Sequence, residues 1–105
     1  MIKVLNEGNF KQETATGITL IDFYAEWCGP CKVLAPILES VSEKSTANIY
    51  KVDVEKNRTL AQQFGVRGIP LLVVMKDGKP VEQTTGLKDE NTILEMIQRH
   101  ESAQS

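Results

Sequence analysis

Few groups in this chain can carry chemistry: two cysteines, one histidine and one tryptophan in 105 residues. No apolar run is long enough to cross a bilayer, since "LLVVM" (71–75) is the longest and a spanning helix needs about 20 such residues. The opening "MIKVLNEGNF" lacks the apolar core of a secretory leader, so a cytoplasmic location is expected. Neither sign of charge dominates, with 12 Lys and Arg against 14 Asp and Glu for a net −2, which removes the electrostatic case for nucleic acid or an anionic membrane as partner. Two cysteines are too few for a disulfide scaffold, and a reducing compartment disfavours a purely structural bridge.

What is present is an ordinary globular composition, 41% hydrophobic and 25% charged, without repeats, linkers or low-complexity tracts. One domain covering 1–105 is expected, as a monomer, with a frayed tail at 101–105. "IKVL" (2–5) reads as a strand and "NEGNFKQETA" (6–15) as a weak helix capped by Asn6 or Asn9. "ITLIDFYA" (18–25) is nearly continuous in apolar, β-branched and aromatic residues, the pattern of a strand covered on both faces. Leu34, Ile37, Leu38 and Val41 then recur at helical spacing around Pro36, which predicts a helix kinked there rather than ended at Ala35. "NIYKVDV" (48–54) is a strand, and "NRTLAQQFG" (57–65) a short helix capped by Asn57 and stopped by Gly65. Asp77-Gly78 joins "LLVVM" to "PVEQTT" as a hairpin. Ile93, Met96, Ile97 and His100 mark a final amphipathic helix, where His100 complements the helix dipole. The order βαβαβαββα requires parallel early strands and an antiparallel late hairpin: an α/β fold with a mixed five-stranded sheet flanked by four helices.

Both cysteines stand in "FYAEWCGPCK" (23–32), two residues apart. Half of a zinc site is one reading of such a pair, but zinc takes four ligands and only His100 remains to supply another soft donor, so no metal is expected. The other reading is a dithiol that cycles to a disulfide. Cys28 follows a strand and opens a helix, where unpaired N–H groups and the dipole favour an anion and lower a thiol's pKa. Cys31, one turn on, faces back and should be the less accessible, resolving thiol. Pro30 costs little in a first turn and stiffens the link between the sulfurs, while Gly29 leaves the approach open.

"DFYAEWCGPCK", together with "GIP" at 68–70 and the "KDGK" hairpin, resembles the thioredoxin family, and the resemblance runs through essentially the whole chain. It implies a thioredoxin fold and a general protein-disulfide reductase that works through Cys28 and Cys31 and serves cell redox homeostasis. It further implies no bound cofactor, recharging by a thioredoxin reductase that draws electrons from NADPH, and disulfide-bearing client proteins as partners. Two other roles stay open on the same fold: a disulfide oxidant or isomerase, and a binding subunit that needs no redox turnover.

Other residues take roles from the same resemblance. Asp22 is the one carboxylate in an apolar strand, so it is paired, hydrated or protonated if buried, and ordinary if it lies on an exposed edge. The family places the matching Asp beneath the second cysteine, in its proton transfer, with a strand lysine beside it; here these are Asp22 and Lys51. Burial should raise the Asp22 pKa toward the working pH, as suits a general base. Pro70 is implied to be cis, leaving the Ile69 backbone free to pair with an extended substrate. Trp27, Gly29, Pro30, Val54, Gly68, Ile69 and Gly86 match the family's apolar docking surface, and Tyr24 is expected to pack structurally. Leu71 stands where the family usually has threonine, a departure that bears on substrate preference more than on the reaction.

Overall fold

The apolar run at 18–25 becomes β2 (Ile18–Tyr24), the middle strand of a five-stranded sheet, in a computed structural model that describes residues 2–101. Around it the chain forms β1 (Lys3–Leu5), α1 (Phe10–Glu13), α2 (Gly29–Lys44), β3 (Asn48–Asp53), α3 (Arg58–Gln63), β4 (Leu71–Lys76), β5 (Lys79–Thr85) and α4 (Glu90–Glu101). The spatial order is β1-β3-β2-β4-β5, with β3 parallel to β1 and β2, and β4 antiparallel to β2 and β5. This is the expected mixed sheet. At the hairpin, Asp77 and Gly78 take φ of 50° and 84°, the left-handed pair that a two-residue turn between twisted strands requires.

Strand alternation sorts the side chains into two cores. Ile21 and Phe23 of β2 join Phe10, Leu60 and Phe64 on the face covered by α1 and α3. Leu20 joins Leu34, Leu38, Val41, Ile93 and Ile97 on the face covered by α2 and α4. Asp22 lies two residues from Leu20, so it points to the same side, beneath α2. On β3 the same alternation sends Lys51 to the side of Ile49, and Asp22 and Lys51 are paired residues of the parallel ladder.

Three local expectations change. The first helix is a single turn, Phe10–Glu13, because Asn6 and Asn9 engage each other's backbone: Asn6 Oδ1 accepts from Gly8 and Asn9 N–H, and Asn9 Oδ1 accepts from Asn6 N–H. Such side-chain turns compete with helix. Asn57 precedes α3 but does not cap it with its side chain, whose Oδ1 accepts from Glu7 N–H at 3.0 Å. The Glu7 carboxylate does so instead, accepting from Thr59 and Leu60 N–H at 3.0 and 3.2 Å. His100 does more than face the dipole, since its Nε2 lies 2.7 Å from Glu82 Oε1 on β5. Pro36 sits inside α2, which runs on to Lys44. Of the tail expected to fray, Glu101 closes α4 and the remainder lies outside the described residues. No helix among the described residues is long and apolar enough to cross a membrane.

Candidate active site

β2 ends at Tyr24 and α2 starts at Gly29, so the intervening turn stands at the carboxyl end of the central strand. Cys28 is the N-cap of α2 with an extended backbone (φ −84°, ψ 113°), and its sulfur accepts the Cys31 N–H at 3.2 Å. A serine or aspartate oxygen normally takes that capping place; here a sulfur does, where an anion gains most from the helix terminus. Pro30 lies in the first turn, where its missing N–H costs no intrahelical bond. A Cβ built on Gly29 would meet nothing within 4 Å, so the approach to the turn is open.

The two sulfurs are joined, with the Cα atoms 5.3 Å apart, so the structure shows the oxidised pair. Both cysteines are equally enclosed, each 4% exposed, so the expected difference in access does not appear in this state. The reason is that the bond holds both sulfurs in one small cluster with Ala25, packed by Tyr24, Val54 and Ile69. Their surroundings do differ. The Cys28 sulfur lies 3.9 Å from the Ile69 carbonyl oxygen, and the Ile69–Pro70 peptide is cis. Cys31 instead lines a cleft of about 130 Å³ with Tyr24, Ala35 and Lys51.

Asp22 is fully buried, which overturns the reading of it as an exposed edge residue, and neither carboxylate oxygen meets a hydrogen-bond donor among the described residues. Desolvation pushes its pKa up to about 7, against the opposing pull of the Lys51 ammonium. Lys51 in turn holds its Nζ 4.4 Å from the centre of the Tyr24 ring, so Tyr24 packs as a cation platform as well as a filler.

Trp27, Val54, Gly68 and Ile69 line one hollow of about 210 Å³ beside the cysteines. Trp27 is 67% exposed and its Nε1 donates to Glu55 Oε2 at 2.7 Å. Glu55 has no signal in the sequence beyond being an exposed acid; only the fold brings it to the indole. A Cβ on Gly68 would lie 3.2 Å from the Thr85 methyl, so a larger residue there needs that side chain to shift. Gly86, at φ 101°, does not line this hollow but donates its N–H to the Pro70 carbonyl at 2.8 Å. Leu71 is buried in the core as the first residue of β4. Among the described residues no three of His, Cys, Asp and Glu gather as a metal ion would need.

Comparison with known proteins gives the family. The Thioredoxin family model matches residues 1–99. A thioredoxin of Chlamydia caviae is 48% identical over 101 residues, spanning 95% of this chain and 99% of that one. A thioredoxin of Bacillus subtilis is 42% identical over 94 residues, 88% of this chain and 90% of that one. In structure, a thioredoxin of Halobacterium salinarum carrying one substitution superposes with a TM-score of 0.87 at 38% identity, covering 93% of this chain and 88% of that one. On these matches and on the cysteine pair that opens α2, the chain belongs to the thioredoxin family and is a protein-disulfide oxidoreductase whose redox centre is its own disulfide.

Proposed function

We propose that the protein is a general disulfide reductase in which Cys28 attacks and Cys31 resolves. The Cys28 thiolate bonds to one sulfur of a client disulfide, and the other client sulfur leaves as a thiolate. Cys31 loses its proton and attacks Cys28, closing the internal disulfide and releasing the second client thiol. Two electrons pass from the dithiol to the client, and the cysteines are already near enough that the chain need not rearrange. Asp22 receives the Cys31 proton. A carboxyl held at about 7 is half ionised near neutrality, and strand alternation puts it on the sheet face beneath α2. Lys51 keeps it from rising further. Trp27, Val54, Gly68 and Ile69 receive the client's apolar residues, Gly29 and Pro30 shape the turn, and Gly86 braces the Pro70 carbonyl that the neighbouring backbone presents.

The partners that complete the cycle are a flavoprotein thioredoxin reductase, which carries electrons from NADPH to the disulfide, and disulfide-bearing clients. We place the protein in the cytoplasm as a monomer. The reductase reading is favoured over an oxidant, an isomerase or a redox-independent binding subunit because the relatives with which it aligns over nearly their whole length are thioredoxins.

The observation that carries the division of labour is the Cys28 sulfur in the capping position of α2, with the Cys31 amide aimed at it. Trapping tests it. A Cys31→Ser variant should accumulate a mixed disulfide with client on Cys28, whereas Cys28→Ser should trap none on Cys31. The reverse pattern would overturn the assignment.

A further inference from the structure

Beside the hollow that holds Trp27 and Ile69 lies a second, larger one of about 420 Å³, lined by Arg58 and Gln62 among others. The two are continuous: Val54, Ala61, Val66 and Arg67 form walls of both. A groove therefore leads from the indole beside the reactive cysteines, over an apolar floor, to a pair of arginines. Arg58 and Arg67 are exposed, and neither makes an ion pair among the described residues. The nearby carboxylates face other donors: Glu55 accepts from the Trp27 indole, Glu7 from the amides of Thr59 and Leu60, and Asp53 from the amides of Glu55 and Lys56. In a chain whose net charge is −2, this end of the groove carries two guanidinium groups that no carboxylate among the described residues pairs.

We propose that this groove is a specificity subsite for an extended, disulfide-bearing polypeptide whose sequence carries an aspartate or glutamate a few residues from its cysteine. The segment's apolar residues lie over Val54 and Val66, and its carboxylate is held by Arg58 and Arg67. Arginine suits that task, because its planar fork can bind a carboxylate through two parallel hydrogen bonds. The inference deepens the reductase reading and rests on it.

The test is single-turnover reduction of synthetic disulfide peptides by the pre-reduced full chain, with Glu, Gln or Lys at successive positions on either side of the peptide cysteine. At low ionic strength one Glu register should react about three- to tenfold faster than its Gln counterpart, the size that two solvent-screened charge contacts supply, and the Lys peptide should be slower than Gln. The ratio should approach one in Arg58→Gln/Arg67→Gln, should invert in Arg58→Glu/Arg67→Glu, and should shrink as salt is added. If the unaltered protein reduces Glu and Gln peptides equally at every register, the inference is overturned while the reductase reading stands. A preference that survives in both double variants also overturns it, because the arginines are then not its source. A protein that reduces none of the peptides refutes the reductase reading itself.

Discussion

Replacing Asp22 by asparagine should change stability in a way that depends on pH. The carboxyl titrates at 3.8 when unperturbed and at about 7 in the fold, where burial opposes its charge. It therefore holds its proton more tightly folded than unfolded. Below about pH 3 both states are protonated and there is no penalty; as pH rises toward 7 the unfolded state has released its proton and the folded state has not, so stability declines. Above about pH 7 the folded carboxylate ionises too and the loss levels off. The gap between 3.8 and about 7, at about 1.4 kcal/mol for each pH unit, amounts to about 4 kcal/mol. Asparagine keeps the shape and an uncharged polar group at every pH, so Asp22→Asn should match the native chain near pH 3 and exceed it by about 2–4 kcal/mol near pH 9. Urea unfolding of the oxidised proteins across that range measures the difference. Removing the opposing cation with Lys51→Met should move the midpoint of the native profile upward, since Lys51 holds the Asp22 pKa down. Parallel stability profiles for Asp22→Asn and the native chain would refute the reasoning, as would a variant that is weaker in alkali.

Two further outcomes follow from single contacts. Trp27 is two-thirds exposed and stands on the proposed client surface, so Trp27→Ala should lower kcat/KM for protein disulfides about tenfold while unfolding free energy moves by less than ~1 kcal/mol. A stability loss with unchanged kcat/KM would place the indole in the core instead. Glu7→Ala removes the acceptor of the Thr59 and Leu60 amides and should cost about 1 kcal/mol, the usual worth of a helix cap, read from the urea midpoint at constant slope. No change in the midpoint would show that solvent serves those amides equally well.

The parts legible in the sequence were those governed by periodicity and by local chemistry. The continuous apolar run at 18–25 announced the central strand, and Asp77-Gly78 announced the hairpin, because each depends only on neighbours a few residues away. The cysteine pair was legible for the same reason: a cap position is set by the strand before it and the helix after it. Contacts made by distant partners were not. Glu7 reads as one polar residue in the weak helix expected at 6–15, yet its carboxylate serves amides 52 and 53 positions away and displaces the cap expected of Asn57. Glu55 likewise has no motif, and its bond to Trp27 exists only because the end of β3 passes the turn before α2. The joining of the Arg58 and Arg67 hollow to the one beside Trp27 belongs to this second kind.

The bond from Gly86 to the Pro70 carbonyl has a dynamic consequence. Gly86 directly follows β5, a border strand with a free side, and border strands open more readily than a sheet's interior. Whenever the end of that strand frays, the segment carrying Ile69 and Pro70 loses a tether. Amide exchange at Gly86 should thus act as a remote gauge of how firmly the wall opposite Cys28 is held, and a client that adds itself to that wall should slow it.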